Sequence, residues 1–227
     1  MIIKAMLWKE YKSFKKNIIS KTVTTLGTMI FIYLLSYIRL KTTNFSIEVF
    51  QNNINYMTVI LGYLIFVSNL RFWYEKNMNM LEILFIMPTK IYVIIIGKLL
   101  LPMLLSVITM VTFYIISTCI GFTIFQNNIF SIVTLSQIIM LSVIFEIFYS
   151  IINCYAMRCA SLTYAKIIQF ISVVLYMGSV FTVFAIPANF SLYSSMGTWI
   201  IMSLLGIYAI ICYFLIDKEK AMSTLSI

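Results

Sequence analysis

Ser142, Glu146, Ser150 and Asn153 recur at intervals of four, four and three within an otherwise apolar run. On an α-helix that spacing gathers them into one polar stripe. A carboxylate in apolar surroundings suits two tasks: handling a proton or ion on a transport path, or anchoring neighbouring helices. The stripe is expected to face other helices or a wet cavity, with the anchor role favoured. Lys98 is the matching base. It lies in the preceding apolar run, which must be antiparallel, so Glu146 is expected to face Lys98 or an interior charge such as Arg71. Enzymatic chemistry finds little support. The chain has no histidine, and its one aspartate is Asp217 near the end. Cys119, Cys154, Cys159 and Cys212 are scattered; Cys154 and Cys159 have no second pair or histidine to complete a metal site. No nucleophile–base pair can be assembled in the usual way, which argues against an intramembrane enzyme.

A second group of polar residues lies between Arg71 and Lys98. Arg71 and Glu75 are one helical turn apart, in the weaker order for such a pair. Met78, Leu81, Leu84 and Phe85 then recur at helical spacing beside Lys76, Asn77, Asn79 and Glu82. This pattern suits a short helix lying along a membrane surface, within a coupling segment 74–92. Pro88 ends it, and Thr89 followed by Lys90 offers an N-cap for the next helix. From Ile91 to Thr118 that helix is about 42 Å long, more than a hydrocarbon core of about 30 Å. Its first turns are therefore expected at or below the headgroups, with Lys98 near the boundary.

The elements that carry these residues follow from composition. Of 227 residues, 62% are hydrophobic and 10% charged, with a mean hydropathy of +1.02. A soluble domain is nearer half apolar and a quarter charged, so lipid is the expected solvent. The apolar runs are continuous rather than alternating, which excludes a barrel. The expected fold is all-α integral membrane: an amphipathic interfacial helix over residues 1–20, then one six-span domain over 21–227. The spans are expected near Thr22–Ile38, Ile54–Trp73, Val93–Cys119, Ile129–Cys154, Tyr164–Pro187 and Thr198–Ile216. In the first segment Ile3, Leu7, Tyr11, Phe14 and Ile18 share one face. Lys9, Lys12 and Lys16 share the other, with Trp8 at the flank, as in a helix lying in the headgroup layer. Every Lys and Arg except Arg39 and Lys41 falls on one side of this arrangement. The positive-inside rule then makes both termini cytoplasmic. The net charge of +9 is spread along a membrane face and implies no nucleic-acid partner. External connections are expected at Lys41–Asn53, Phe122–Asn128 and Pro187–Gly197, the last either a plain loop or a re-entrant piece.

The run Leu81-Glu-Ile-Leu-Phe-Ile-Met-Pro-Thr-Lys90, followed by Gly97-Lys98-Leu-Leu, resembles a signature of permease subunits of the type-2 ABC exporter superfamily. Glu82, Pro88, Thr89, Lys90, Gly97 and Lys98 occupy the matching positions, with Thr-Lys where the family usually has Ser-Arg. Trp8-Lys9-Glu10-Tyr11-Lys12 is similar to the family's amphipathic elbow. The resemblance implies that the surface helix, with Glu75, Leu81, Glu82 and Phe85, docks on a separate ATP-binding subunit. It also implies a second permease copy or a homologous permease. Gly97-Lys98 lacks the earlier glycine and the following Ser/Thr of a phosphate loop. ATP and magnesium are accordingly expected on the partner, with no cofactor bound by this chain. Small permeases of this kind suggest export of, or immunity to, a bacteriocin or toxin peptide, or export of a drug-like amphiphile, at a bacterial plasma membrane. The alternative is a membrane assembly or immunity protein that transports nothing.

Overall fold

The computed structural model describes residues 2–16, 18–42, 46–70, 90–127, 129–156, 162–184 and 192–216. Among them every regular element is an α-helix and none is a strand. In chain order these are α1 (Ile2–Lys16), α2 (Ile18–Thr42), α3 (Ile47–Asn69), α4 (Ile91–Phe125), α5 (Ile132–Ala156), α6 (Leu162–Phe184) and α7 (Leu192–Leu215). By length and apolar character α4 and α5 can each cross a membrane.

The helix ends differ from the expected spans for identifiable reasons. Ser46 starts α3: its hydroxyl accepts the Val49 N–H at 3.3 Å and its carbonyl the Phe50 N–H at 3.0 Å. Glu48 then sits in the first turn, where a negative charge suits the helix dipole. The Asn-rich stretch expected to lie in an external connection is therefore helical from Ile47 onward. Its polarity misleads because Asn53 and Asn55 are buried inside the protein rather than hydrated. The same helix runs to Asn69, and the end expected at Trp73 lies outside the described residues. At the far end of α4 the chain stays helical to Phe125. It leaves through Gln126 at φ 55°, whose N–H reaches the Phe122 carbonyl at 2.9 Å, a left-handed C-cap. Ser131 caps α5 by accepting the Thr134 N–H at 3.3 Å, which moves the start from Ile129 to Ile132. Helix α7 begins at Leu192, so residues 192–197, weighed above as loop or re-entrant piece, are helical.

The chain divides into two compact units. One holds Lys9–Asn69 and Leu101–Ile144; the other holds Met1–Trp8, Leu70–Leu100 and Phe145–Ile227. In the first, α2 packs on α3. Met57, Leu61 and Ile65, one turn apart along α3, form its core with Phe113 of α4, flanked by Met29 and Tyr33 of α2. Every residue from Asn53 to Val59 is buried, so α3 is enclosed on all sides for nearly two turns. Gly121 permits a close approach on α4: a Cβ there would sit 2.5 Å from the Phe50 ring and 2.8 Å from Ile129. In the second unit α6 packs on α7. The last turns of α5 lie against both, with Phe145 stacked on Tyr176 (ring centroids 3.8 Å apart) and the Phe148 ring against Gly206. Fully buried Ala165, Ser172, Ala209 and Gly206 keep these helices close. Inside α4, buried Pro102 has no N–H to give the carbonyl of Lys98, one helical turn earlier.

Candidate functional site

Helix α5 carries the polar stripe, and the structure buries all of it. Ser142 is 2% exposed, Glu146 1%, Ser150 0% and Asn153 2%. The three residues Glu146, Ser150 and Asn153 belong to the α6–α7 unit, where Asn153 is the best defined. Its amide donates to the Tyr149 carbonyl at 3.0 Å, and its Oδ1 accepts a short hydrogen bond from Gln169 Nε2 of α6. Ser172, one turn further along α6, donates to the Gln169 carbonyl at 2.6 Å. The Gln169–Asn153 bond thus joins α5 to α6 through an apolar interior. Ser150 Oγ is enclosed with no hydrogen-bond partner among the described residues.

Lys98 lies in the same unit at 4% exposure, among Ile94, Ile95 and Leu99. Counted at 1.5 Å per residue, it lies about 10 Å from the start of α4 and Glu146 about 15 Å from the end of α5, a difference of roughly one turn. Both side chains are engaged in polar or electrostatic contacts. They are the buried charged residues among the described part of this unit. An isolated charge at such depth costs several kcal/mol, so each needs its partner there.

Of the signature residues, Lys90 is exposed immediately before α4, its carbonyl accepting the Val93 N–H at 3.0 Å, and Gly97 is buried. Glu75, Leu81, Glu82, Phe85, Pro88 and Thr89 lie outside the described residues, as do Arg71 and Cys159. In α1, Trp8, Lys9, Tyr11 and Lys12 are exposed, whereas Glu10 between them is buried and engaged. The elbow resemblance includes Glu10 without assigning it a role, although it is the lone acid in a basic helix. Sequence reasoning passed over Gln169, the one amide in the fifth apolar run. Among the described residues no three His, Cys, Asp or Glu side chains cluster to hold a metal. Cys154 and Cys212 are buried free thiols and Cys119 an exposed one. The arrangement can bind helices together through buried polar groups. No protein family, characterised protein or solved structure matches the chain.

Proposed function

We propose that this chain is the membrane-spanning permease subunit of an ATP-driven ABC exporter, with α1 as an interfacial elbow and α2 to α7 as six spans. Both termini are cytoplasmic. The subunit works with a second permease and with separate ATP-binding subunits that hydrolyse ATP with magnesium. Its cargo is amphipathic: a peptide of bacteriocin or toxin type, or a drug-like molecule, moved out of a bacterial plasma membrane in export or self-protection. The observation that carries this reading is the run Leu81–Lys98, which resembles the exporter signature and leads directly into α4. With 35 residues α4 is about 52 Å long, well beyond the roughly 30 Å of a hydrocarbon core. A helix of that length has turns to spare outside the hydrocarbon core. Helices α2, α3, α6 and α7, of 25, 23, 23 and 24 residues, have the length of spans as well. Glu146 and Lys98 pair with one another and anchor α4 to α5.

The test is affinity purification of the tagged chain from native membranes, with ATP hydrolysis measured in the eluate. Activity should co-purify and should be lost with Glu82→Ala or Pro88→Ala while the chain remains in the membrane. An eluate without ATPase activity, or activity indifferent to both substitutions, favours the non-transporting alternative.

A further inference from the structure

The α3-centred unit contains a pocket of about 240 Å³ between α2, α3 and α4. Its walls are mostly apolar, among them Phe50, Met57, Phe113 and Ile124. The hydroxyls of Tyr33 and Ser117 also face it and bond to each other at 3.0 Å. These two satisfy one another, and Asn53 of α3 is the other buried polar side chain in a lining that is otherwise mostly apolar. The lining runs from Phe50 to Met57 along α3 and from Phe113 to Ile124 along α4. That is a length of roughly 10 to 16 Å. So small a volume over that length describes a narrow slot, below the size that takes a drug-like molecule.

The surroundings of the slot are as informative as its walls. Its rim residues Tyr37, Ile120 and Ile124 are exposed, and so are Leu34 and Phe122 beside them. The slot therefore opens onto an apolar face. An unfilled apolar slot forfeits dispersion contacts along its whole lining, and within a bilayer the medium at its mouth is hydrocarbon. The lining also lies toward the end of α4 that leads to Phe125 and the start of α3 at Ile47. In the orientation argued above, that is the outer half of the membrane. A leaflet's share of the hydrocarbon core is about 15 Å, which matches the slot's length.

We propose that this slot is a specific seat for one acyl chain of an outer-leaflet phospholipid, entering sideways past Tyr37, Ile120 and Ile124. The inference rests on the membrane reading of the chain and on its orientation, but not on transport. The chain lies along α4 between Phe113 and Ile124 and completes the packing of α2 against α4. The lipid's headgroup remains at the surface beside the exposed Tyr37 hydroxyl.

The test uses the full chain in nanodiscs of phosphatidylethanolamine and phosphatidylglycerol, doped with a phosphatidylethanolamine that carries a photoactivatable diazirine in one acyl chain. Cross-linked residues are mapped by mass spectrometry. The expected pattern is label concentrated on the slot lining, about tenfold above the exposed apolar faces of α6 (Phe170, Val174) and α7 (Ile207, Phe214). Ile120→Trp, a change at the exposed rim, should remove most slot labelling and leave α6 and α7 labelling unchanged. Ile54→Phe provides a second filling variant should the first not incorporate. Even labelling across all exposed faces overturns the proposal, and so does slot labelling that survives filling. Displacement of the label by a small aromatic alcohol but not by excess unlabelled lipid also overturns it. The assay needs no ATPase, so a failed co-purification leaves this result untouched. Release of the chain from membranes by alkaline wash overturns the membrane reading and the lipid seat together.

Discussion

The two units bury polar atoms by different means. In the α3-centred unit three threonine hydroxyls turn back on their own helices: Thr58 donates to the Ile54 carbonyl at 2.7 Å, Thr109 to Leu105 at 2.9 Å and Thr118 to Tyr114 at 2.9 Å, while Tyr33 and Ser117 bond across α2 and α4 at 3.0 Å. The threonine bonds are local and survive any repacking between helices. The core they border is mainly hydrocarbon and aromatic, with Asn53 and Asn55 enclosed beside it. In the α6–α7 unit, by contrast, the buried polar groups reach across helices, as Gln169 does to Asn153, and a buried carboxylate and ammonium are enclosed as well. Cross-helix polar bonds fix register in a way that apolar contact does not, since their donors and acceptors tolerate little sliding. The first unit thus spans its helices with a pair of hydroxyls, and the second with a pair of amides.

Substitutions can break or sharpen that contrast. The largest effect is expected from Glu146→Leu: on the proposed pairing it strands the Lys98 ammonium in an apolar interior at a cost of about 3 to 5 kcal/mol. The chain should fail to accumulate, or should melt far earlier in detergent. Adding Lys98→Leu should restore most of the loss, and the charge swap Glu146→Lys with Lys98→Glu should restore part. If neither rescues, the two charges do not hold each other and the contrast loses its main support. Gln169→Leu is expected to cost less, about 1 to 3 kcal/mol, because Asn153 Oδ1 is left without its donor in a dry site. Helix cross-linking between α5 and α6 should weaken alongside the melting temperature. Tyr33→Phe should be the mildest, at about 0.5 to 1.5 kcal/mol. Ser117 can fall back on a carbonyl of its own helix, an escape that an amide oxygen lacks. A Tyr33→Phe penalty equal to that of Gln169→Leu would erase the distinction between the units.

Much of this was legible in the sequence, for uneven reasons. The apolar runs of α4 and α5 are unbroken enough to declare themselves, and the four–four–three spacing of Ser142, Glu146, Ser150 and Asn153 identifies one helical face in advance. Helix ends were harder to read. Hydropathy treats Asn53 and Asn55 as water-seeking, yet α3 takes them into its interior, and the cap that starts the helix is a single serine hydroxyl. Gln169 could have been found as a lone amide in an apolar run, although nothing in its spacing names Asn153 as its partner. The slot beside Phe113 was beyond reach. It exists because α2, α3 and α4 leave a gap where they meet, and no single helix carries a pattern for it.

Pro102 makes α4 mechanically uneven. A helix resists bending through its ladder of backbone bonds, and here one rung is missing, at the carbonyl of Lys98. The gap adjoins the place where the helix passes from one unit to the other, between Leu100 and Leu101. The residue whose carbonyl Pro102 cannot serve is Lys98, so the incomplete rung of α4 and its buried charge belong to the same residue.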